Sequence, residues 1–465
     1  MKIYFMGICG TAMGNAACMM KEAGHQVFGS DKGVYDPMKS VLENAGIEIH
    51  DGFSVDYLKS VSPDLVVVGN AVSRMNEEVE FLLNTRAYEF TSLADLISKY
   101  AISSRKCLVV SGTHGKTTTT SMAAVLLKSQ DANTGYLIGG VPQDLESGSK
   151  LGGKNSPFVI EGDEYDTAFF DKRSKFIHYR PRVLIINNIE FDHADIFRDL
   201  TDVKRTFTHV RRIVAGIGAI VENADDANIA SLEDTPWTKR IKVGFAPTAD
   251  LKILNFTQNE NGSSFDLQNE FKTVHIHWNL SAEYNARNAA MAIAGTALLL
   301  GKKHTLDLDI SPLFGFKGVK RRQEVLYSSK KVAIVEDFGH HPTAVRNTIL
   351  AMRKKYPLRK IFACFEPRSN TSRTNVFQDE FADALSCADR IFVGQVKNLE
   401  KVPQQKRIDF LKMAQKSTKP FAHYDDNQKL LADLKDAVKN ESSSCVIFFS
   451  NGSFDSIQHS KEIRM

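Results

Sequence analysis

Six residues, Gly112-Thr113-His114-Gly115-Lys116-Thr117, follow the apolar run Cys107-Leu108-Val109-Val110. Glycines at such a turn let backbone amides face phosphate oxygens. A lysine there places a point charge on β- and γ-phosphates, and the next hydroxyl can ligate Mg2+. The widespread phosphate loop, G-x-x-x-x-G-K-[ST], would need a glycine at position 110, where this chain has valine. The turn is therefore tighter and opens at Gly112. The threonine run Thr117–Thr120 then enters a helix, which brings Thr118 into the expected nucleotide contacts.

A phosphate loop needs metal-holding carboxylates from elsewhere in the chain. Two clusters offer them: Glu161-Gly162-Asp163-Glu164 after the apolar stretch 157–160, and Asn187 through His193 after the stretch 182–187. In an open α/β sheet the carboxyl ends of the strands line one crevice. The loop, Glu161 and His193 are therefore expected to converge. Mg2+ prefers oxygen ligands, so the histidine marks a site more particular than a bare magnesium cradle.

A second glycine turn, Met6-Gly7-Ile8-Cys9-Gly10-Thr11, sits between an apolar strand and a helix. Amides at a helix start favour a diphosphate, and Asp31, at the end of the next strand, can accept from a ribose hydroxyl. Cys9 and Ala12 occupy glycine positions of the dinucleotide fingerprint. A nucleotide-sugar diphosphate therefore fits better than NAD.

The elements that position these groups read as three α/β units, at 1–104, 105–318 and 319–465. Strands are expected at 2–6, 26–29 and 64–69, then at 107–110, 157–160 and 182–187, and lastly at 331–336, 359–365, 390–394 and 445–450. Helices are expected at 12–23 and 283–300. Between about 240 and 280 the pattern has period two, as in Lys272–Trp278, which predicts antiparallel strands.

The 465 residues are 43% hydrophobic and 25% charged, with a net charge of +4. That balance is ordinary for a globular protein and too mild to argue for nucleic acid. The six cysteines are scattered without a C-x-x-C pair, which reads as reduced thiols in a cytoplasmic protein. No apolar run reaches the ~18 residues of a membrane span.

Taken together the motifs resemble the Mur ligase family, ATP-dependent enzymes that join amino acids or peptides to a UDP-linked muramyl acid. The resemblance rests on the shortened loop, Glu161, Asn188 to His193, the pair Asn285 and Asn288, Arg321 to Glu324, and Glu336 to Thr343. It covers essentially the whole chain. It implies a Rossmann-like first domain, a central P-loop ATPase-like domain and a Rossmann-like third domain. Within the family, the stretches GICGTAMG, EPRSNT and SNGSF and the insertion Phe170 to Phe176 are similar to enzymes that attach the tripeptide L-alanyl-γ-D-glutamyl-meso-diaminopimelate to UDP-N-acetylmuramate. Enzymes that attach L-alanine alone are the nearest alternative.

The resemblance assigns roles. Gly7, Cys9, Gly10, Thr11, Asp31 and Asn70 would bind the UDP-sugar. Gly112 to Thr118, Asn285, Asn288, Arg322 and Asp337 would bind ATP, with Arg321 a neighbouring candidate. Thr117, Glu161 and His193 would hold Mg2+, with Glu161 and His193 sharing one ion. Lys116, Glu161, His193 and Arg322 would be catalytic. Arg368, Ser369, Asn370 and Asn451 would meet the peptide, and the chain would act as a monomer or weak homo-oligomer. Position 208 is threonine, so no modified metal-bridging lysine is expected. Tyr284 replaces a common family histidine beside Asn285. An NAD-dependent oxidoreductase and a non-catalytic nucleotide-binding regulator are the readings from other classes.

Overall fold

The computed structural model describes residues 1–34 and 38–464. Its first sheet has five parallel strands in the spatial order Glu48–Asp51, Gln26–Asp31, Lys2–Met6, Leu65–Val68, Phe90–Ser92. The strand order reverses at Lys2–Met6, so the crevice of this sheet opens where the chain enters the turn at Gly7. Side chains alternate along that strand: Ile3 and Phe5 enter one apolar cluster, and Tyr4 and Met6 enter another.

Ten strands form the central sheet. Cys107–Ser111, fully buried, lies between Phe158–Gly162 and Val183–Ile186, parallel to both. The register sets Val110 beside Glu161 and Ser111 beside Ile186. Three strand ends therefore abut, as a parallel sheet with buried faces requires. Leu108 and Val110 pack on one face with the helices Lys116–Gln130 and Glu283–Leu299. Cys107 and Val109 pack on the other, in a cluster that runs unbroken through Ile97 and Ile102 to Ile3 and Phe5 of the first sheet. The first two domains thus share a core.

Helix Glu283–Leu299 is rich in alanine and buried nearly all round. A Cβ on Gly295 would lie 2.6 Å from Ile185 Cδ1. That close approach fixes the helix on the sheet with its first turn at the phosphate loop.

Only part of the expected antiparallel region is antiparallel. Leu251–Asn259, Gly262–Gln268 and Thr273–Trp278 form the meander, whereas Lys239–Gly244 pairs in parallel with Ala219–Asn223. The short strands Glu48–Asp51 and Phe90–Ser92 lay below the length at which periodicity speaks. Residues 170–176, the insertion, belong to a hairpin of Asp166–Ala168 and Asp171–Ser174 and the turn after it. Phe170 packs edge-on against Phe90 of the first domain, with ring centroids 5.1 Å apart.

The third sheet has six strands in the order Glu324–Ser328, Val332–Asp337, Ser444–Phe449, Lys360–Phe365, Arg390–Val393, Phe421–His423. All neighbours are parallel except the first pair. The segment that leads into it is clipped to the central domain: Gln143 N donates to the Gly318 carbonyl and Lys320 N to the Val141 carbonyl, both at 3.0 Å. Arg322 follows that clip directly.

Candidate active site

The tight turn at Gly112 and Gly115 has a steric reason. Both have left-handed backbones, with φ of 131° and 80°. A Cβ on Gly112 would sit 3.0 Å from the Asn188 amide nitrogen, and one on Gly115 would sit 2.7 Å from Asn288 Oδ1. The loop is braced by the segment after Val183–Ile186. Asn188 Oδ1 accepts from the His114 amide at 2.7 Å, its Nδ2 donates to the His114 carbonyl at 3.1 Å, and Thr113 Oγ1 accepts from Glu190 N at 2.9 Å. Asn187 Nδ2 donates to Thr119 at 3.0 Å. Sequence reasoning saw carboxylates in this segment and missed that its asparagines hold the phosphate loop.

Lys116 starts helix Lys116–Gln130 and reaches Glu164 Oε2 at 2.6 Å and Asp163 Oδ1 at 3.7 Å. Burial alone would lower its pKa, but Glu164, Asp163 and Glu161 outweigh that and raise it. The ammonium is thus fixed as a cation. Lys175, from the turn after the hairpin, holds Asp163 at 2.7 Å. Burial opposes ionisation of Asp163 and Glu164, yet the lysines hold Asp163 well below its ordinary value, and Lys116 and His193 hold Glu164 below its own.

Glu161 and His193 keep different partners in this structure. Glu161 Oε2 accepts from Thr117 Oγ1 at 3.1 Å, and Oε1 accepts from Gly139 N at 2.6 Å. His193 Nε2 lies instead 3.7 Å from Glu164 Oε1 and groups with Asp163 and Glu164. The two residues expected to flank one ion thus stand in neighbouring clusters, each with its own partners. Gly162 and Asp163 separate Glu161 from Glu164, and it is Glu164 that approaches His193. Burial and the Gly139 contact compete at Glu161, and burial wins, raising its pKa. His193 has φ of +54°, a conformation that costs a non-glycine residue on the order of 1–2 kcal/mol and clusters at functional sites.

From the third domain, Arg322 lies over the Phe338 ring, 4.6 Å from its centroid, and its Nη2 sits 3.4 Å from Thr117 Oγ1. Its neighbour Arg321 also lies against that ring, 5.2 Å from the centroid, and bonds to Glu336 at 3.0 Å and to the carbonyls of Ser450 and Gly452. Arg321 therefore pins the third domain from within. Asp337 also turns inward: Oδ2 accepts from Gln323 N at 2.9 Å and Oδ1 from Gly339 N at 2.8 Å. Asn285 and Asn288 share a helix face, linked at 3.4 Å. Asn288 borders Gly115, and Asn285 faces Gln323 at 3.5 Å. Tyr284 is taken up by Thr348 and Gln323.

Arg368, Ser369, Asn370 and Asn451 line a cavity of about 460 Å³ that also reaches His193 and Tyr165. Asn370 donates to Asp195 at 3.0 Å, closing the cavity across the domain seam.

In the first domain most amides of the glycine turn are already used. Gly7 N and Ile8 N donate to the Ser30 carbonyl, at 2.8 and 3.2 Å, and Cys9 N donates to Asp31 Oδ2 at 2.7 Å. Asp31, expected at a ribose, is first the anchor of this turn. The uncapped helix start at Thr11 is what presents first-turn amides. The same helix docks on the central domain through Asn15 and the Ile138 carbonyl, at 3.5 Å. The next residue, Gly139, is the one bonded to Glu161, so the helix after the first glycine turn and the phosphate loop are linked by one short contact chain. Asn70 follows the neighbouring strand end, Leu65–Val68. Burial, with Asp31 and Asp51 nearby, pushes the Cys9 thiol up to about 11. At neutral pH only on the order of one such thiol in ten thousand is thiolate. Iodoacetamide should therefore label Cys9 slowly near neutral pH and faster as pH rises toward 11; rapid neutral labelling, read by peptide mass spectrometry, would contradict this environment.

A parallel first sheet, a phosphate loop flanked by acidic strand ends and a third domain reaching in with an arginine define an ATP-dependent ligase architecture. Residues 2–103 match the Mur ligase family catalytic domain, 110–296 the Mur ligase middle domain and 321–452 the Mur ligase glutamate ligase domain. The chain belongs to the Mur ligase family. It is 38% identical to the UDP-N-acetylmuramate–L-alanyl-gamma-D-glutamyl-meso-2,6-diaminoheptandioate ligase of Haemophilus influenzae, over 98% of this chain and 97% of that protein. The crystal structure of a murein peptide ligase from Psychrobacter arcticus superposes with a TM-score of 0.73 at 32% identity, over 99% of this chain and 97% of the other. A UDP-N-acetylmuramate–L-alanine ligase of Clostridium acetobutylicum is 30% identical, over 85% of this chain and 83% of that protein. Among the described residues no helix is long and apolar enough to cross a membrane.

Proposed function

We propose that this chain joins the tripeptide L-alanyl-γ-D-glutamyl-meso-diaminopimelate to UDP-N-acetylmuramate, converting ATP to ADP and phosphate, in cytoplasmic recycling of peptidoglycan. The observation that carries the reading is the 38% identity to the Haemophilus influenzae ligase across nearly the whole of both chains.

The muramyl carboxylate, held from the first domain, attacks the γ-phosphorus of ATP, and ADP leaves. Lys116 exchanges its Glu164 contact for phosphate oxygens, and Arg322 approaches from the third domain. Both stabilise charge that grows in the transition state. The amine of the peptide's L-alanine then attacks the acyl carbon of the acyl phosphate. Phosphate departs with the former carboxylate oxygen, and the amine's proton passes to a carboxylate lining the cavity. Closure excludes water that would otherwise hydrolyse the acyl phosphate.

Thr117 and Glu161 are oxygen donors suited to Mg2+, and the buried Glu164 Oε1, which lacks a hydrogen-bond partner, offers another beside His193. Mg2+, when bound, neutralises phosphate charge. Asn288 at the loop and Asn285 beside it would meet the nucleotide, and the cavity of Arg368 and Asn370 would take the peptide.

The assay is phosphate release from ATP with UDP-N-acetylmuramate and either tripeptide or L-alanine. Release with tripeptide alone is expected. Release with L-alanine alone moves the chain to the single-amino-acid reaction, and no release with either removes the ligase reading.

A further inference from the structure

Three side chains outside the expected metal set converge where the phosphate loop meets the third domain. His114 Nε2 lies 3.4 Å from Glu190 Oε2, and His341 Nδ1 lies 3.6 Å from the same oxygen. All three donor atoms lie within 4.8 Å of one another. They come from separate elements: the phosphate loop, the segment after Val183–Ile186, and the residue that caps helix Pro342–Lys355.

These separations are long for hydrogen bonds, which run about 2.7–3.2 Å. They suit the edge of a tetrahedral ion, about 3.3 Å when donors stand about 2.0–2.1 Å from the metal. His114 Nε2 is buried and has no hydrogen-bond partner. His341 Nε2 faces the Phe191 carbonyl at 3.1 Å. A proton donated there leaves Nδ1 with its lone pair, 3.6 Å from Glu190 Oε2, and an outer carbonyl of this kind is what orients a metal-ligating histidine. The Thr343 hydroxyl donates to Glu190 Oε2 at 2.6 Å and fixes that carboxylate. The contact competing for His341 Nδ1, the Thr343 amide, is long at 3.3 Å.

We propose that His114, Glu190 and His341 form a site for a divalent transition metal of the Zn2+ class. Two imidazoles and one carboxylate suit Zn2+, Co2+ or Ni2+, whereas Mg2+ favours six oxygens. The fourth position is left for water. An ion here ties the phosphate loop to the third domain and holds the closed arrangement, so it slows turnover steps that need opening.

The test titrates the full chain with Co2+ in excess Mg2+. The intense visible absorption of tetrahedral Co2+ is expected, abolished by added Zn2+. His341→Gln and Glu190→Gln should each weaken Co2+ binding about tenfold or more, and His193→Ala should retain the band. Absence of the band in the wild-type chain overturns the proposal. So does a band unchanged in both His341→Gln and His114→Gln, or one lost in His193→Ala alone. Circular dichroism verifies folding, and His114→Gln, on a different domain, serves where His341→Gln does not fold. The absorption is read without ligation, so its failure leaves the proposed reaction standing.

Discussion

Replacing Lys116 with alanine is expected to lower kcat for ligation by about 10³-fold or more, with UDP-N-acetylmuramate affinity nearly unchanged. The ammonium sits at the start of helix Lys116–Gln130, 2.6 Å from Glu164 and 3.7 Å from Asp163. It is poised to move onto phosphate once ATP enters. Its loss removes the fixed charge that meets the transferring phosphoryl group. It also leaves Glu164 and Asp163 repelling both each other and ATP, so ATP affinity should fall too. The proposed sugar site, in the first domain, includes none of the groups Lys116 contacts, which is why its affinity is the control. Steady-state kinetics and calorimetric titration with UDP-N-acetylmuramate check both halves. Turnover near the wild-type rate would remove Lys116 from the chemistry.

Arg322→Ala is expected to lower kcat by about 10²–10³-fold. Arg322 is the third domain's reach into the cleft, stacked on Phe338 and 3.4 Å from Thr117 Oγ1. Coulombic attraction to Asp337 and Glu161 holds it there against the cost of its burial, which lowers its pKa. Arg322→Lys should restore only part of the rate, because an ammonium lacks the planar fork and stacks poorly. Arg321→Ala should instead reduce thermal stability, since its guanidinium anchors Glu336 and two carbonyls. Equal kinetic losses in the two arginine variants would contradict this division.

That division was not legible in the chain. Arg321 and Gln323 take left-handed backbones, with φ of 62° and 51°. Arg321 thereby reaches Glu336 and Arg322 reaches Thr117, and no periodicity announces it. The phosphate loop was legible because its chemistry is local: glycine, lysine and threonine within six residues, after a fully apolar strand. Convergence of the acidic clusters was legible because parallel strands end on one side of a sheet. How the carboxylates divide was not. It depends on the two residues between Glu161 and Glu164 and on Lys175, which arrives from the inserted hairpin. Asn187 and Asn188 entered the sequence reading only as the start of an acidic cluster and motif, and they brace the loop in the fold, a role set by the register of two neighbouring strands. Asp31 was found by its place at a strand end, but its bond to the Cys9 amide could only be seen once the turn was folded.

The most direct measurement follows oxygen. UDP-N-acetylmuramate labelled with ¹⁸O in its lactyl carboxylate is incubated with ATP, Mg2+, tripeptide and enzyme, and the products are weighed by mass spectrometry. Attack of the carboxylate on the γ-phosphorus predicts one labelled oxygen in the released phosphate and one in the amide carbonyl of a UDP-N-acetylmuramyl tripeptide. Unlabelled phosphate, or label appearing with no tripeptide product, would contradict the account.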